Sequence, residues 1–84
     1  MNFNELTEIL KIVFPDEPFF EIEMTKEDLK SWDSIAHLNL IVEIEDQLSI
    51  TFSIDEIESI CSLQSLLSLI NHKLNKTLTK NSNI

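Results

Sequence analysis

The apolar positions near the N-terminus recur at the spacing of an amphipathic helix. Between residues 2 and 14 they fall at i, i+3, i+4 and i+7, which places them on one face. These residues are Leu6, Ile9, Leu10 and Val13. Asn2 or Asn4 can cap the first turn with its side-chain oxygen. Pro15 ends the element, because the residue before a proline disfavours the helical region. A first helix over residues 2–14 is therefore predicted.

The next stretch, residues 15–33, carries no helical stripe. Apolar side chains alternate with glutamates over residues 20–24, which is a strand-like pattern, but no second strand is available to pair with it. We therefore expect an extended loop that lies over the core. Residues 25–28 resemble a capping sequence, which predicts one helical turn there. Trp32 is expected to anchor the end of the loop by burial.

Three further helices are predicted from capping residues and apolar spacing. The second extends from Ser34 to about Leu48, and the third is short, opened by a capping box at Ser53 and ending near Ile60. Ser62 caps the fourth helix, which has its own apolar stripe. That stripe consists of Leu63, Leu66, Leu67, Ile70 and Leu74. The polar tail, residues 77–84, is expected to fray, so that residues 1–76 form a single domain.

Length and cysteine content restrict the class of protein. A chain of 84 residues forms one domain with a thin core and has little room for a large enzyme cleft. Cys61 is the single cysteine, which excludes an intramolecular disulfide, and its apolar neighbours predict a thiol on the core side. The N-terminus lacks the pattern of a secretory signal, and no apolar stretch reaches membrane-spanning length. We therefore expect a soluble, cytoplasmic monomer.

The charge is strongly acidic and unevenly distributed. Six lysines, no arginine and 15 Asp and Glu residues give a formal net charge of -9. This balance argues against nucleic acid as a partner and favours a basic protein surface. From Ser31 to His72 there is no Lys or Arg. The same span holds seven acids: Asp33, Glu43, Glu45, Asp46, Asp55, Glu56 and Glu58. Solubility alone would explain the total charge, but it does not require this segregation.

The second helix has a wider apolar arc than one buried face needs. One side of the arc is a sufficient core stripe, made of His37, Leu40, Ile41, Ile44 and Leu48. The other side carries Ile35, Leu38 and Val42, with Glu45 and Asp46 among and beside them. Two interpretations stay open for these three residues. They pack against the third helix, or they form a docking face of apolar side chains surrounded by acids.

Ser34 begins the second helix and also has two interpretations. A serine at or beside a helix N-terminus is often only a cap. The alternative is that its hydroxyl carries a phosphodiester, since a helix N-terminus offers unpaired N–H groups and a positive dipole end to an anion. Spacing alone favours the cap.

At this point the sequence resembles the acyl carrier protein family. The resemblance extends from Leu6 to Leu74. It rests on Asp33-Ser34-Ile35, Leu38, Leu40-Ile41, the acids of the second helix, Leu48-Ser49-Ile50, Asp55-Glu56-Ile57 and the closing stripe from Leu63 to Ile70. Two serines, Ser31 and Ser49, stand where family members often have glycine, and Ala36 and Asn39 stand where fatty-acid-synthesis members tend to carry acids.

The resemblance implies an all-α, acyl-carrier-like four-helix bundle with three long helices, one short helix and a long first loop. It implies that Ser34 is the attachment site for 4'-phosphopantetheine, which a Mg²⁺-dependent phosphopantetheinyl transferase moves from coenzyme A. The arm would carry acyl groups as thioesters to biosynthetic enzymes with basic docking surfaces. Asp33 would help the transferase engage. The further docking candidates are Ile35, Leu38, Val42, Glu45, Asp46, Asp55 and Glu56.

Two alternatives to an acyl carrier stay open. The first is a peptidyl or aminoacyl carrier of a nonribosomal or specialised pathway, which would differ only in its cargo. The second is a helical adaptor without a prosthetic group, in which Ser34 is only a cap. An enzyme is not expected, because His37 and His72 lie on different predicted helices and no Cys/His cluster suggests a metal site. The carboxylates of the second helix are expected to be solvated.

Overall fold

The computed structural model describes the backbone of residues 1–82 and the side chains of residues 1–75. It contains four helices: α1 (Phe3–Val13), α2 (Ser34–Leu48), α3 (Ile54–Ser59) and α4 (Leu63–Ser82). Three are long and one is short, and a long first loop, residues 14–33, separates α1 from α2. Within residues 1–82 no strand is formed. The predicted all-α bundle is confirmed, and the bounds of α2 are those predicted.

Side-chain caps begin three helices where the sequence predicted them. In α1, Asn2 accepts the N–H of Glu5 and the Glu5 carboxylate accepts the N–H of Asn2, both at 2.9 Å. Ser53 and Glu56 form the same reciprocal capping box at α3. Ser62 Oγ accepts an N–H from the first turn of α4, at 3.1 Å. Each cap satisfies backbone donors that a helix leaves unpaired at its start.

The first loop is held against the beginning of α4. Two backbone hydrogen bonds, of 2.9 and 3.2 Å, and an isolated antiparallel bridge join segment 24–26 to segment 61–63. The single turn predicted over residues 25–28 forms as an isolated hydrogen-bonded turn and not as part of a helix. These residues form a single turn in which the Asp28 carboxylate accepts the N–H of Thr25, at 3.0 Å. The Asp28 N–H also donates to the Thr25 carbonyl at 3.0 Å, and the chain does not continue from this turn into a helix.

The core lies beneath the first loop and is shared by α1, α2 and α4. Trp32 is only 5% exposed, as predicted, and its ring centroid lies 6.0 Å from that of Phe14. His37 is the buried polar residue among those described. The fully enclosed side chains are Leu6, Leu10, Phe14, Leu29, Leu40, Ile44, Ile60, Leu63, Leu66 and Ile70. The predicted core stripes of α1 and α4 supply half of them.

Helix α4 is longer than its apolar stripe. The stripe ends at Leu74, whereas the helix continues to Ser82. Nothing in the described residues tests whether residues 77–84 fray, residues 83–84 lie outside them, and fraying of this tail stays a prediction. No helix in the described part of the chain combines the length and apolar character needed to cross a membrane.

Cys61 is exposed, so the prediction of a core-side thiol is wrong. The residue lies in the short connection between α3 and α4. Its apolar neighbours Ile60 and Leu63 point into the core, and the backbone between them turns the Cys61 side chain outward. The Cys61 N–H donates to Ser65 Oγ at 3.2 Å. The apolar neighbours of Cys61 therefore predicted the wrong orientation for its side chain, because no regular helix spans this connection.

Ser49 ends α2 in the left-handed region, with φ 56° and ψ 42°. This conformation costs a non-glycine residue about 1–2 kcal/mol. Replacing Ser49 by glycine is therefore expected to stabilise the fold by about 0.5–1 kcal/mol, after allowance for the greater freedom of glycine in the unfolded chain. Thermal melting should show a rise of roughly 2–8 °C. Ser68→Gly on the exposed side of α4 is the control, which should lower stability by about 0.5 kcal/mol. A loss of stability in Ser49→Gly would contradict this account.

Candidate functional site

Asp33, not Ser34, caps helix α2. The Asp33 carboxylate accepts the N–H of Ala36 at 2.8 Å, and the Asp33 carbonyl accepts the N–H of His37 at 2.9 Å. Ser34 is the first residue inside the helix, and its side chain is exposed. Its hydroxyl makes no hydrogen bond to any of the described residues. The interpretation of Ser34 as only a cap is therefore wrong, because the capping task belongs to its neighbour.

The surroundings of the Ser34 hydroxyl suit an attached anion. The Asp33 carboxylate partly compensates the positive end of the helix dipole, and the first turn of α2 itself contains no further acidic side chain. Apart from the Ala36 N–H, which donates to Asp33, the first N–H groups of α2 have no intrahelical acceptor and are available to such an anion. With the hydroxyl exposed and unbonded, neither a backbone contact nor a packed side chain stands in the way of a phosphodiester at this oxygen.

An open groove of about 570 Å³ lies beside Ser34. This size falls in the range of small-molecule sites in proteins. The residues that line it come from the first loop, α2 and α3: Lys26, Trp32, Asp33, Ser34, His37, Leu38, Ile57 and Glu58. The groove therefore combines apolar walls with charged groups next to the hydroxyl.

His37 joins the three elements that form the groove. Its Nδ1 accepts the indole N–H of Trp32 at 2.8 Å, and its Nε2 lies 2.7 Å from the carbonyl of Ile57. Because indole is a donor only, the ring is neutral in this arrangement and donates from Nε2 to Ile57. The sequence placed His37 on the core stripe, which is confirmed. It did not reveal these two bonds, which link α2 to the first loop and to α3.

A set of exposed apolar side chains lies on α2 and α3. Ile35 is 72% exposed, Leu38 55% and Val42 62%, so these three do not pack closely against α3. Ile54, at the start of α3, is 74% exposed. We call these four residues the exposed apolar face. Sequence reasoning missed Ile54, because a six-residue helix has too few turns to show a periodic pattern.

The predicted docking acids divide into two groups. Asp46 and Asp55 are exposed, and their carboxylates make no hydrogen bond within the described residues. Glu45 is half-buried, and its carboxylate accepts the N–H of Phe52 at 2.8 Å, which fixes the connection after α2. Glu56 completes the cap of α3 and pairs with Lys73 of α4, with an N–O distance of 2.7 Å. Glu45 and Glu56 thus have structural contacts that the sequence did not reveal.

The bond from Lys73 lowers the pKa of the Glu56 carboxyl below its ordinary value of 4.5, and the capping bond from Ser53 adds to the effect. A folded-state pKa below the unfolded one stabilises the fold above about pH 4.5, and this contribution is lost as the pH falls through the folded-state pKa. We expect the stability difference between the wild type and Glu56→Gln to be widest above pH 4.5 and to close in acid.

Urea unfolding over a series of pH values measures this difference. Glu58→Gln is the matched control on the same helix, since Glu58 is exposed and makes no ion pair with any of the described residues. The stability difference between the wild type and Glu58→Gln should be smaller than the difference between the wild type and Glu56→Gln. A Glu56→Gln difference that does not close on acidification would contradict the assignment.

Comparison of the fold with solved structures found two acyl carrier proteins. The holo acyl carrier protein from Geobacter metallireducens, solved in solution by NMR, is 32% identical with a TM-score of 0.82, over 90% of this chain and 88% of that one. The crystal structure of the acyl carrier protein from Thermotoga maritima is 22% identical with a TM-score of 0.77, over 89% of this chain and 88% of that one. The second likeness establishes the fold alone.

The other two comparisons gave no support in either direction. No family model matches the sequence, and no curated protein does. The first structural relative is nevertheless similar in sequence as well as in fold, over nearly the whole length of both chains. On this ground, and with the fold predicted from its own residues confirmed, the chain belongs to the acyl carrier protein family.

Proposed function

We propose that this protein carries acyl groups on a 4'-phosphopantetheine arm attached to Ser34 and delivers them to partner biosynthetic enzymes. The observation that carries the proposal is the Ser34 hydroxyl, which is exposed and unbonded at the first position of α2 while Asp33 does the capping. The relative from Geobacter metallireducens is a holo acyl carrier protein, which supports the same assignment.

The residues around Ser34 fit such a group. The Ser34 oxygen would hold the phosphodiester, the first N–H groups of α2 would face its negative charge, and the groove offers apolar surface from Trp32, Leu38 and Ile57. When bound, the arm supplies a terminal thiol that can carry an acyl group. The protein's own contribution is to tether and present this cargo at a high local concentration, without acting as a catalyst.

The proposal is tested by modification in solution. The protein is incubated with coenzyme A, Mg²⁺ and a broad-specificity phosphopantetheinyl transferase, and its intact mass is measured before and after. We expect a gain equal to one phosphopantetheine group. An unchanged mass, with a known carrier protein modified in a parallel reaction, would leave the adaptor without a prosthetic group as the better interpretation.

We further propose that the exposed apolar face and the nearby acids dock the partner enzymes. Asp46 and Asp55 are free to meet a basic surface, whereas Glu45 and Glu56 would do so only while keeping their internal bonds. Apolar contact would supply affinity and the acids would steer the encounter, so docking should weaken as salt is added.

Leu38→Ala is expected to slow modification by the transferase at least about tenfold in kcat/KM, because a central apolar contact is lost from the docked complex. Ile12→Ala is the matched control: Ile12 is similarly exposed, at 59% against 55% for Leu38, but it lies on α1. This control should leave the rate within about twofold, since isolated exposed apolar residues contribute little. Equal losses in the two variants would argue against docking through this face.

A further inference from the structure

The groove beside Ser34 is lined by a lysine that the linear sequence does not place there. Lys26 belongs to the first loop and lines the groove together with Ser34. It is the single cation among the groove's lining residues in the described part of the chain. Residues 31–72 contain no Lys or Arg, so the fold brings this charge in from outside the acidic span.

Lys26 is held in place through both its backbone and its side chain. Its N–H donates to the carbonyl of Cys61 at 3.2 Å, and the neighbouring bond from Leu63 N–H to the Met24 carbonyl measures 2.9 Å. The ammonium lies 5.9 Å from the centroid of the buried Trp32 ring, which is a cation–π contact. The lysine is therefore held over Trp32 in the groove that Ser34 also lines.

The Lys26 ammonium has no carboxylate partner among the described residues. Two acids, Asp33 and Glu58, line the same groove. An anion attached to Ser34 would therefore meet two negative groups and one positive group. Since charge–charge energies at a partly covered surface exceed those in bulk water, the ammonium would offset a substantial part of the repulsion between that anion and the two acids.

We propose that Lys26 is the counter-ion of the phosphate attached to Ser34, and that it holds the proximal part of the prosthetic group in the groove above Trp32. This inference rests on the proposed function of Ser34. A phosphate held in this way connects the first loop to the start of α2 through a charge-assisted contact. The modified protein is then more stable than the unmodified one, and the difference depends on Lys26.

The experiment compares the unmodified and modified forms of four proteins: the wild type, Lys26→Gln, Lys26→Arg and Lys30→Gln. Lys30 is the matched control, an exposed lysine in the same loop that does not line the groove. At low ionic strength we expect modification to raise the melting temperature of the wild type by about 2–4 °C, as a partly exposed ion pair would. The increase is retained in Lys30→Gln, largely retained in Lys26→Arg, and lost or reversed in Lys26→Gln.

A second measurement reports on the phosphate itself. The ³¹P resonance of the modified wild type should differ from that of modified Lys26→Gln and coincide with that of modified Lys30→Gln. Added salt should move the wild-type resonance toward that of Lys26→Gln as the pair is screened.

Each melting comparison is made within one variant, so a general loss of stability in Lys26→Gln does not obscure the result. The inference is overturned if modification raises the melting temperature of Lys26→Gln as much as that of the wild type, if it leaves the wild type unchanged, or if the ³¹P resonances of the two coincide. Failure of the proposed function is recognised separately, because the wild type then gains no mass.

Discussion

Ser34→Ala is expected to abolish attachment of phosphopantetheine while leaving the fold intact. The loss should be complete, because the variant has no oxygen at the position where the phosphodiester would form. The fold should tolerate the change, since Asp33 caps α2 and the Ser34 hydroxyl makes no bond to the described residues. Alanine also suits the first turn of a helix, so the free energy of unfolding should change by no more than about 0.5 kcal/mol.

The measurement combines intact mass with urea unfolding. Ser31→Ala is the control: Ser31 is exposed, lies three residues before Ser34 and should be dispensable for modification. If Ser34→Ala gains the same mass as the wild type, the Ser34 hydroxyl is not the attachment site of the phosphopantetheine. Ser34→Ala that fails to fold would refute the assignment of the cap to Asp33.

Trp32→Ala should cause the largest loss of stability among the changes considered. The indole is buried, packs against Phe14 with 6.0 Å between ring centroids, and donates to His37 Nδ1 at 2.8 Å. Removing a buried aromatic side chain costs about 3–5 kcal/mol, and leaving the His37 nitrogen without its donor adds about 1–3 kcal/mol. Small domains have about 5–15 kcal/mol in total. We therefore expect a largely unfolded protein at 37 °C.

Trp32→Phe separates the two contributions, because phenylalanine retains most of the ring packing and removes only the N–H. The loss of stability in Trp32→Phe should be smaller than that in Trp32→Ala, at about 1–3 kcal/mol plus the cost of a modest change in shape. Val42→Ala, at an exposed position, is the control and should change stability by no more than about 0.5 kcal/mol. Far-UV circular dichroism is the signal, since Trp32 is the chain's single tryptophan. A loss below about 1 kcal/mol in Trp32→Ala would contradict the packing described.

Helix positions followed from the sequence because local signals there agree with one another. For α2, a polar residue before an apolar stripe and a stripe of helical period predict Ser34–Leu48, which are its observed bounds. The capping boxes at Asn2 and Ser53 are equally local. In each case, the residues that determine the element lie within a few positions of one another.

The chemistry proposed for Ser34 follows from the resemblance of the sequence to a family, but the detail of its surroundings does not. Spacing alone could not decide between Asp33 and Ser34 as the cap, since both residue types cap helices. The backbone at Asp33 is extended, with φ -94° and ψ -174°, so that its carboxylate reaches the Ala36 N–H. Because Asp33 makes the capping bond, the Ser34 hydroxyl has no hydrogen bond to the described residues.

The features that the sequence could not reveal depend on contacts between distant segments. Lys26 reaches the groove only because segment 24–26 is bonded to segment 61–63. Glu56 pairs with Lys73 only because α3 and α4 come together. Neither contact produces a periodic pattern in the sequence. Each gives a structural role to a charged residue that the sequence alone presents as a surface group.

The most direct test of the central claim is to locate the added group within the modified protein. Trypsin is unsuitable, since no Lys or Arg occurs between Lys30 and Lys73. A protease that cleaves before aspartate should instead release the peptide 33–45, in which Ser34 is the sole residue with a hydroxyl group. Fragmentation of this peptide by mass spectrometry should place one phosphopantetheine group on Ser34. An unmodified peptide 33–45, with the added mass on another fragment of the protein, would contradict the account.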